Sequence, residues 1–394
     1  CPQCLSDNGL SILGSRVASL ASTIIGKLFG SHYNQDHKLI AFSDSVQDAA
    51  HRAGFFAART YLQTLRNALA QAARELTARA GHGYTLQDFM EQAPLYWRDK
   101  LPNEAEFVAT FIAPNMLWLN DYQKLKATGT VPQGNLAELV HKRLSWEVMV
   151  EFSQRAHRGR TLERTQVAGV APSNQAMETL ARKVAEVWHE EIGTLQGVSE
   201  IMVRRFLVGV LHMWRLRGAF NTPELQRYAR EGGVSFLLNQ YPWMPGYGLA
   251  ARPPAAIATE SISPNFINLM PSSALKNQHP VVQWFNKLLA QGGNIFASAE
   301  YQQAMVAMVK VMEREKWLTA IECRGRTVWL MNLDKWVLNT HVYGTDCSHC
   351  KQRHFITPEN LVEWQGMPCL QLRCQGTYTM SANPIRQAYN AYPR

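Results

Sequence analysis

Apolar residues recur every three or four positions along most of the chain, which is the spacing of the buried face of an amphipathic helix. The spacing is clear in residues 9–29 and 62–76, and it covers nearly every segment from about residue 84 to residue 245. It returns in residues 281–289 and 299–316. The pattern predicts a mainly α chain, with α/β elements at the few places where the period changes.

The period changes to that of β-strands in residues 317–332. Two runs rich in β-branched and aromatic residues flank Arg324-Gly325, which predicts a hairpin. Because a helix is expected before this hairpin, the order is that of a winged-helix-like module. Residues 244–280 are rich in Pro, Gly and Ser, so this stretch is expected to be irregular.

Another β-like element precedes the first long helix. Residues 38–42 form a short apolar run, which predicts a buried strand that leads into a loop at Ser43. Ser45 and Asp48 have the spacing of a capping box, so a helix is expected to follow. A strand, loop and capped helix present backbone N–H groups that suit a phosphate, although an ordinary strand-to-helix turn has the same pattern.

The 394-residue chain has a net charge of +9 at pH 7, which favours an acidic partner such as nucleic acid. Charge alone does not decide this, because many basic proteins bind no nucleic acid. No apolar run reaches the roughly 18 residues of a membrane span, and we find no signal peptide. A cytoplasmic protein without a membrane partner is therefore expected. Since the chain begins at Cys1 rather than Met, we expect it to be an internal piece of a longer protein.

The chain has seven cysteines, and six of them form close pairs. The pairs are Cys1 with Cys4, Cys347 with Cys350, and Cys369 with Cys374, whereas Cys323 stands alone. A secreted disulfide scaffold would be shorter and denser in cysteine. Close pairs in a large chain without a signal peptide instead indicate metal binding in a reducing compartment.

The last two pairs are separated by 18 residues, which is a zinc-ribbon spacing. Zinc prefers four ligands in a tetrahedron, and two short facing loops can supply four thiolates. Cys347, Cys350, Cys369 and Cys374 are therefore predicted to hold one structural Zn²⁺. Four unconnected buried thiols are the alternative, and His354 could replace one cysteine ligand.

Cys1 and Cys4 have the spacing of half a zinc site. The missing ligands are expected upstream of this sequence, unless Cys323 contributes one. A cysteine pair without a metal is the alternative.

The run Asp44-Ser45-Val46-Gln47-Asp48-Ala49 resembles motif IV in the second RecA-like lobe of large superfamily 2 helicases of the DEAD/DEAH type. The resemblance is to the group with a C-terminal DUF1998-type region. Three further features are similar to the same group. They are Cys1-Pro-Gln-Cys4, Leu10-Ser-Ile-Leu-Gly-Ser-Arg16 and the order of helical module, hairpin and ribbon. The helicases of Druantia anti-phage systems are the closest match, followed by the DISARM helicase. The resemblance is specific only in residues 38–60 and 347–377.

On this basis the chain divides into six predicted segments. They are a zinc-knuckle half (1–8), the start of RecA-like lobe 2 (9–80), a helical insertion (81–245), an irregular segment with a winged-helix-like module (246–340), the zinc ribbon (341–378) and a linker back to lobe 2 (379–394).

The resemblance implies an ATP-dependent helicase or translocase that acts on DNA in anti-phage defence. It also implies that Ser43, Ser45, Gln47 and Arg52 lie near the sugar–phosphate backbone, with Arg59 a weaker candidate. The implied partners are DNA, as a single strand or as a duplex being unwound, the rest of the helicase chain and other proteins of a defence system.

The chain lacks the motif Gly-x-x-x-x-Gly-Lys-Ser/Thr that binds ATP phosphates, because Gly26-Lys27 is followed by Leu28. It also lacks an Asp-Glu-x-His box. ATP and Mg²⁺ are therefore expected only in the full-length protein, and this segment alone is expected not to be catalytic. The alternative function is a non-enzymatic zinc and winged-helix adaptor that binds DNA or a protein.

Overall fold

The computed structural model describes residues 46–81, 83–132, 134–157, 159–247, 252–270, 279–289, 298–371 and 373–381. Over these residues the chain is a mixed α/β structure in which helices predominate and the strands form small sheets. The predicted helix over residues 9–29 and the predicted strand over residues 38–42 lie outside the described residues.

Most of the described residues belong to helices, as the periodicity predicts. The α-helices are α1 (Val46–Ala80), α2 (Leu86–Lys100), α3 (Glu104–Phe111), α4 (Asn120–Thr128), α5 (Leu136–Glu151), α6 (Asn174–Glu191), α7 (Glu200–Leu216), α8 (Pro223–Arg230), α9 (Phe236–Asn239), α10 (Pro280–Leu289), α11 (Ser298–Arg314) and α12 (Leu361–Trp364). Short 3₁₀ turns lie at Pro114–Met116, Gly193–Leu195, Leu333–Lys335 and Pro358–Asn360.

Side-chain caps explain where several helices begin. The Thr85 hydroxyl accepts a hydrogen bond from the Asp88 backbone N–H, and the Asp88 carboxylate accepts one from the Thr85 N–H at 2.9 Å, which forms a capping box before α2. Thr222 accepts a hydrogen bond from the N–H of Leu225, and Pro223 occupies the first turn of α8. The helix α8 therefore begins at Pro223.

The strands belong to three small sheets. They are β1 (Gly169–Pro172), β2 (Ala256–Ala258), β3 (Phe266–Asn268), β4 (Leu318–Cys323), β5 (Arg326–Met331), β6 (Trp336–Asn339), β7 (Tyr343–Cys347), β8 (Arg353–Ile356) and β9 (Tyr378–Met380). β1 pairs with β6, the second sheet has the order β3-β2-β5-β4, and the third has the order β8-β7-β9.

The predicted hairpin is confirmed, because β4 and β5 pair antiparallel on either side of Arg324-Gly325. Both turn residues have positive φ angles, 51° at Arg324 and 76° at Gly325. Two further elements differ from the expectation. β1 lies inside the stretch expected to be helical, and residues 244–280, expected to be irregular, contain β2 and β3. β2 is short, apolar and fully buried, and it pairs antiparallel with β5. Three residues are too few to give a periodic pattern.

Aromatic side chains join the helices in the core. The Trp188 ring of α6 lies 5.7 Å from that of Phe206 on α7 and 5.9 Å from that of Phe285 on α10. The Trp188 indole N–H also donates to the carbonyl oxygen of Ala304 on α11, at 2.9 Å. These contacts hold α6, α7, α10 and α11 in one packed layer.

Buried ion pairs lie along α5, and one of them attaches the long helix α1 to it. Glu147 accepts hydrogen bonds from Arg143, at 2.7 Å, and from Arg155. One turn later, Glu151 accepts a hydrogen bond from Arg66 of α1 at 2.9 Å. Because buried charges are costly unless they are paired, the bond between Arg66 and Glu151 fixes the position of α1 along α5.

Candidate metal centre

The sheet β8-β7-β9 brings the four ribbon cysteines to one end. Cys347 is the last residue of β7, and its backbone N–H donates to the carbonyl oxygen of Gln352 at 3.0 Å, which closes the turn that carries Cys350. Cys369 and Cys374 lie between α12 and β9. The N–H of Cys369 donates to the carbonyl oxygen of Gly376 at 2.8 Å, which closes this second loop in the same way.

The four sulfur atoms lie within 4.8 Å of one another. The Sγ atoms of Cys347 and Cys374 are 3.5 Å apart, and those of Cys350 and Cys369 are 3.6 Å apart. A disulfide would need about 2.05 Å. A tetrahedral metal with Zn–S distances of about 2.3 Å places its sulfurs about 3.8 Å apart, so the arrangement fits a metal ion such as zinc.

Backbone N–H groups point at three of these sulfurs. His349 N donates to Cys347 Sγ, Gln371 N to Cys369 Sγ and Gly376 N to Cys374 Sγ, each at 3.4 Å. Each donor is two residues after its cysteine. Because such bonds favour the charged thiolate, the loops are already shaped for metal-binding sulfurs.

The thiols differ in their surroundings. Burial raises the pKa of Cys369 to about 12, and burial also raises the pKa of Cys350. For Cys374, burial acts in the same direction, but the N–H of Gly376 and the neighbouring cysteines outweigh it and lower its pKa to about 6. The lowered pKa of Cys374 favours the thiolate, the form that a metal needs. Cys350 is the exposed member of the four.

Gly376 makes room for the cluster. A Cβ atom at this position would lie 2.5 Å from Cys347 Sγ and 2.8 Å from the backbone N of His349. The second loop can therefore approach the first only without a side chain here.

Tyr378 supports Cys369 from inside the sheet. Its ring is fully buried, and its hydroxyl lies 3.4 Å from Cys369 Sγ. The same hydroxyl accepts a hydrogen bond from the N–H of Leu370 at 3.1 Å. Burial and the neighbouring thiol raise the pKa of Tyr378, so its hydroxyl stays protonated and can donate to the sulfur.

Two further residues considered from the sequence do not join the cluster. The side chain of His354 lies among the rings of His212, Trp364 and Tyr378, with centroids 5.0 to 5.2 Å away. Cys323 ends β4 as a buried free thiol. Among the described residues, the four ribbon cysteines form the group that could hold a metal ion.

The remaining predicted site residues cannot be placed against this geometry. Cys1, Cys4, Ser43 and Ser45 lie outside the described residues. Gln47, Arg52 and Arg59 belong to α1, but their side chains lie outside what the structure describes. The second zinc site and the nucleic-acid contacts therefore stay predictions.

The ribbon is attached to the helical body through α7. Arg204 forms an ion pair with the buried carboxylate of Glu363 on α12. Arg205 donates to the carbonyl oxygens of Glu363, at 3.2 Å, and Gln365, at 2.8 Å. These bonds satisfy carbonyl groups at the end of α12 and seat the ribbon on the body.

Spacing in the sequence predicts the four sulfur ligands but neither Gly376 nor Tyr378. Gly376 could have been recognised from the sequence, since it lies two residues after Cys374, where a loop around a metal turns back. Tyr378 has no such signal, because its neighbours come together only through the pairing of β9 with β7.

No protein-family model matches this chain, and neither a curated protein nor a solved structure matches it. Within the described ranges, no helix is both long enough and apolar enough to cross a membrane.

Proposed function

We propose that the four cysteines bind one structural Zn²⁺ and that this chain is part of an ATP-dependent DNA helicase or translocase of anti-phage defence in the cytoplasm. The chain contributes nucleic-acid contacts and a zinc-stabilised ribbon. ATP and Mg²⁺ bind elsewhere in the full-length protein. The partners are DNA, the rest of the helicase chain and other defence proteins.

The sulfur geometry carries the zinc part of the proposal. Four thiols fill a tetrahedron and leave no position for a substrate or a reacting water, which favours a structural metal over a catalytic one. The lowered pKa of Cys374 and the three N–H donors suit a soft divalent cation.

The helicase part is supported by the motif-IV-like run at residues 44–49. Residues 46–49 of this run lie in α1, which continues without a break to Ala80. The N-terminal end of a helix presents N–H groups and a positive dipole end, which favour phosphate. The net charge of +9 is in keeping with a polyanionic partner.

The proposal is tested by DNA binding and ATP turnover. The purified chain should bind a fluorescent single-stranded oligonucleotide with an affinity that falls as salt rises, and it should hydrolyse no ATP. Arg52→Ala should reduce the logarithmic salt slope by about one, because it removes one phosphate contact. Arg182→Ala is the control, since Arg182 is exposed and already paired with Glu186 on α6.

Equal affinity and slope for Arg52→Ala and the wild type would contradict the predicted contact. ATP turnover by the chain alone would contradict the helicase assignment, since no phosphate-binding motif is present.

The order of α11 and the β4–β5 hairpin favours a second candidate, a non-enzymatic winged-helix and zinc adaptor. DNA-stimulated ATP hydrolysis by the full-length protein distinguishes the two, because an adaptor would show none.

A further inference from the structure

We propose that Lys287, on helix α10 of the body, is a positioning residue for the metal centre. Its Nζ donates hydrogen bonds to the carbonyl oxygens of Cys369 and Cys374, and to that of Gln371 at 3.2 Å. Two of these carbonyls belong to metal-binding residues of the second loop. Lys287 is 82 residues before Cys369 in sequence, so the contact exists only through the fold.

The contact uses the full donor capacity of the side chain. An ammonium group has three N–H donors and no acceptor, and all three carbonyl partners lie in one loop. Carbonyl groups converge on one point only when the backbone curls around it. Lys287 therefore holds the loop in the curvature that points the sulfurs of Cys369 and Cys374 at the same place.

Charge acts in the same direction as geometry. Four thiolates with one Zn²⁺ carry a formal charge of −2, and the Lys287 ammonium places a positive charge against the carbonyl groups of the second loop. An apolar side chain at this position would leave that excess of negative charge less compensated and the carbonyl groups without a donor.

Helix α10 is a rigid support for this lysine. Val281, Trp284, Phe285 and Leu288 of this helix are buried in the core. The Trp284 indole N–H donates to the carbonyl oxygen of Phe206 on α7 at 3.2 Å, which fixes α10 against its neighbour. The loop geometry is therefore set by the body as well as by the ribbon.

Arg205 provides a matched comparison. It also reaches the ribbon from the body, on the neighbouring helix α7, but its bonds go to Glu363 and Gln365 and not to the loop between Cys369 and Cys374. Replacing a residue that only attaches the ribbon to the body, such as Arg205, should leave metal binding unchanged. Replacing a residue that positions the ligands should change the affinity for the metal and its ligand geometry.

The experiment compares Lys287→Met with Arg205→Met in the purified chain loaded with zinc. A chromogenic chelator measures the rate of zinc release, and the thiolate-to-metal absorption of the Co²⁺-substituted chain reports the ligand geometry. Lys287→Met should weaken zinc binding by about tenfold or more, with faster release and an altered cobalt spectrum. Arg205→Met should lower the melting temperature but keep the release rate and the spectrum of the wild type.

Release from Lys287→Met within twofold of the wild type, with an unchanged cobalt spectrum, would overturn the inference. Should that variant not fold, Lys287→Gln, which keeps amide N–H donors and loses the charge, is measured instead and must also release zinc faster. The inference rests on the proposed zinc site, so a wild-type chain that binds no zinc would overturn both. No nucleic acid enters the measurement, and a failed DNA-binding test leaves the inference standing.

Discussion

At the scale of single residues, Gly376 is the position where one added methyl group should disturb the metal centre most. The new Cβ would collide with Cys347 Sγ and with the backbone of His349, neither of which is the flexible end of a long side chain. Gly376→Ala is therefore expected to lower zinc affinity by at least about tenfold, which metal analysis after dialysis against a competing chelator would measure. Gly197→Ala is the control, because a Cβ there meets nothing within 4 Å. Full zinc retention by Gly376→Ala would mean that the loops can separate freely.

Two buried histidines should make stability depend on pH. Burial lowers the pKa of His354 to about 3 and that of His212 well below its usual value, and the charge of Arg215 acts in the same direction. In the unfolded chain both titrate near 6.5, so the unfolded state binds more protons below that pH. The protein therefore keeps its full free energy of unfolding above pH 6.5. This free energy falls as the pH drops towards 3, by up to about 1.4 kcal/mol per pH unit for each histidine.

Urea unfolding between pH 7.5 and pH 5.5 tests this expectation. His354→Gln should show a shallower loss of stability than the wild type. His341→Gln is the control, because His341 is exposed and its removal should leave the slope unchanged. Parallel curves for His354→Gln and the wild type would show that His354 is not kept neutral by the fold.

At the scale of elements, the sequence predicts helices well because many residues contribute to one periodic signal. α7 occupies the stretch expected from its apolar spacing, and the β4–β5 hairpin lies where Arg324-Gly325 predicts it. β1 has four residues and is a strand because it pairs with β6. β2 has three residues and is a strand because it pairs with β3 and β5. The four cysteines could be predicted from spacing, whereas Lys287 could not, because its carbonyl partners are brought to it by tertiary packing.

The buried charges on α5 give a prediction at the same scale. Glu147 is completely buried between Arg143 and Arg155, and the two arginines hold its pKa below the usual value despite its burial. Glu147→Ala would leave two partly or fully buried cations unpaired, so we expect a loss of about 3–5 kcal/mol in the free energy of unfolding. Glu138→Ala, on the exposed side of the same helix, should change it by less than about 0.5 kcal/mol. Equal losses in both variants, measured by urea unfolding, would contradict the importance of the buried pair.

At the scale of the whole molecule, the ribbon and the helical body should unfold together, because polar contacts and buried rings join them. Arg204, Arg205 and Lys287 reach the ribbon from α7 and α10, and the Trp364 ring lies 5.6 Å from that of His212 on α7. A metal that orders the ribbon therefore also stabilises the surface of the body beneath it. Binding to the folded state alone raises stability, and structural zinc contributes several kcal/mol in small domains.

Metal removal tests this coupling. A zinc chelator is expected to lower the melting temperature of the whole chain by about 5 °C or more, seen as one shifted transition by calorimetry and by circular dichroism of the helices. Cys369→Ser should melt at the lower temperature and no longer respond to the chelator. Cys323→Ala should keep the full chelator-induced shift, because Cys323 ends β4 and is not among the four clustered cysteines. A helical transition that stays in place while only the ribbon loses structure would mean that the contacts across this interface are too weak to couple the two parts, and that the ribbon folds as a separate unit on the body.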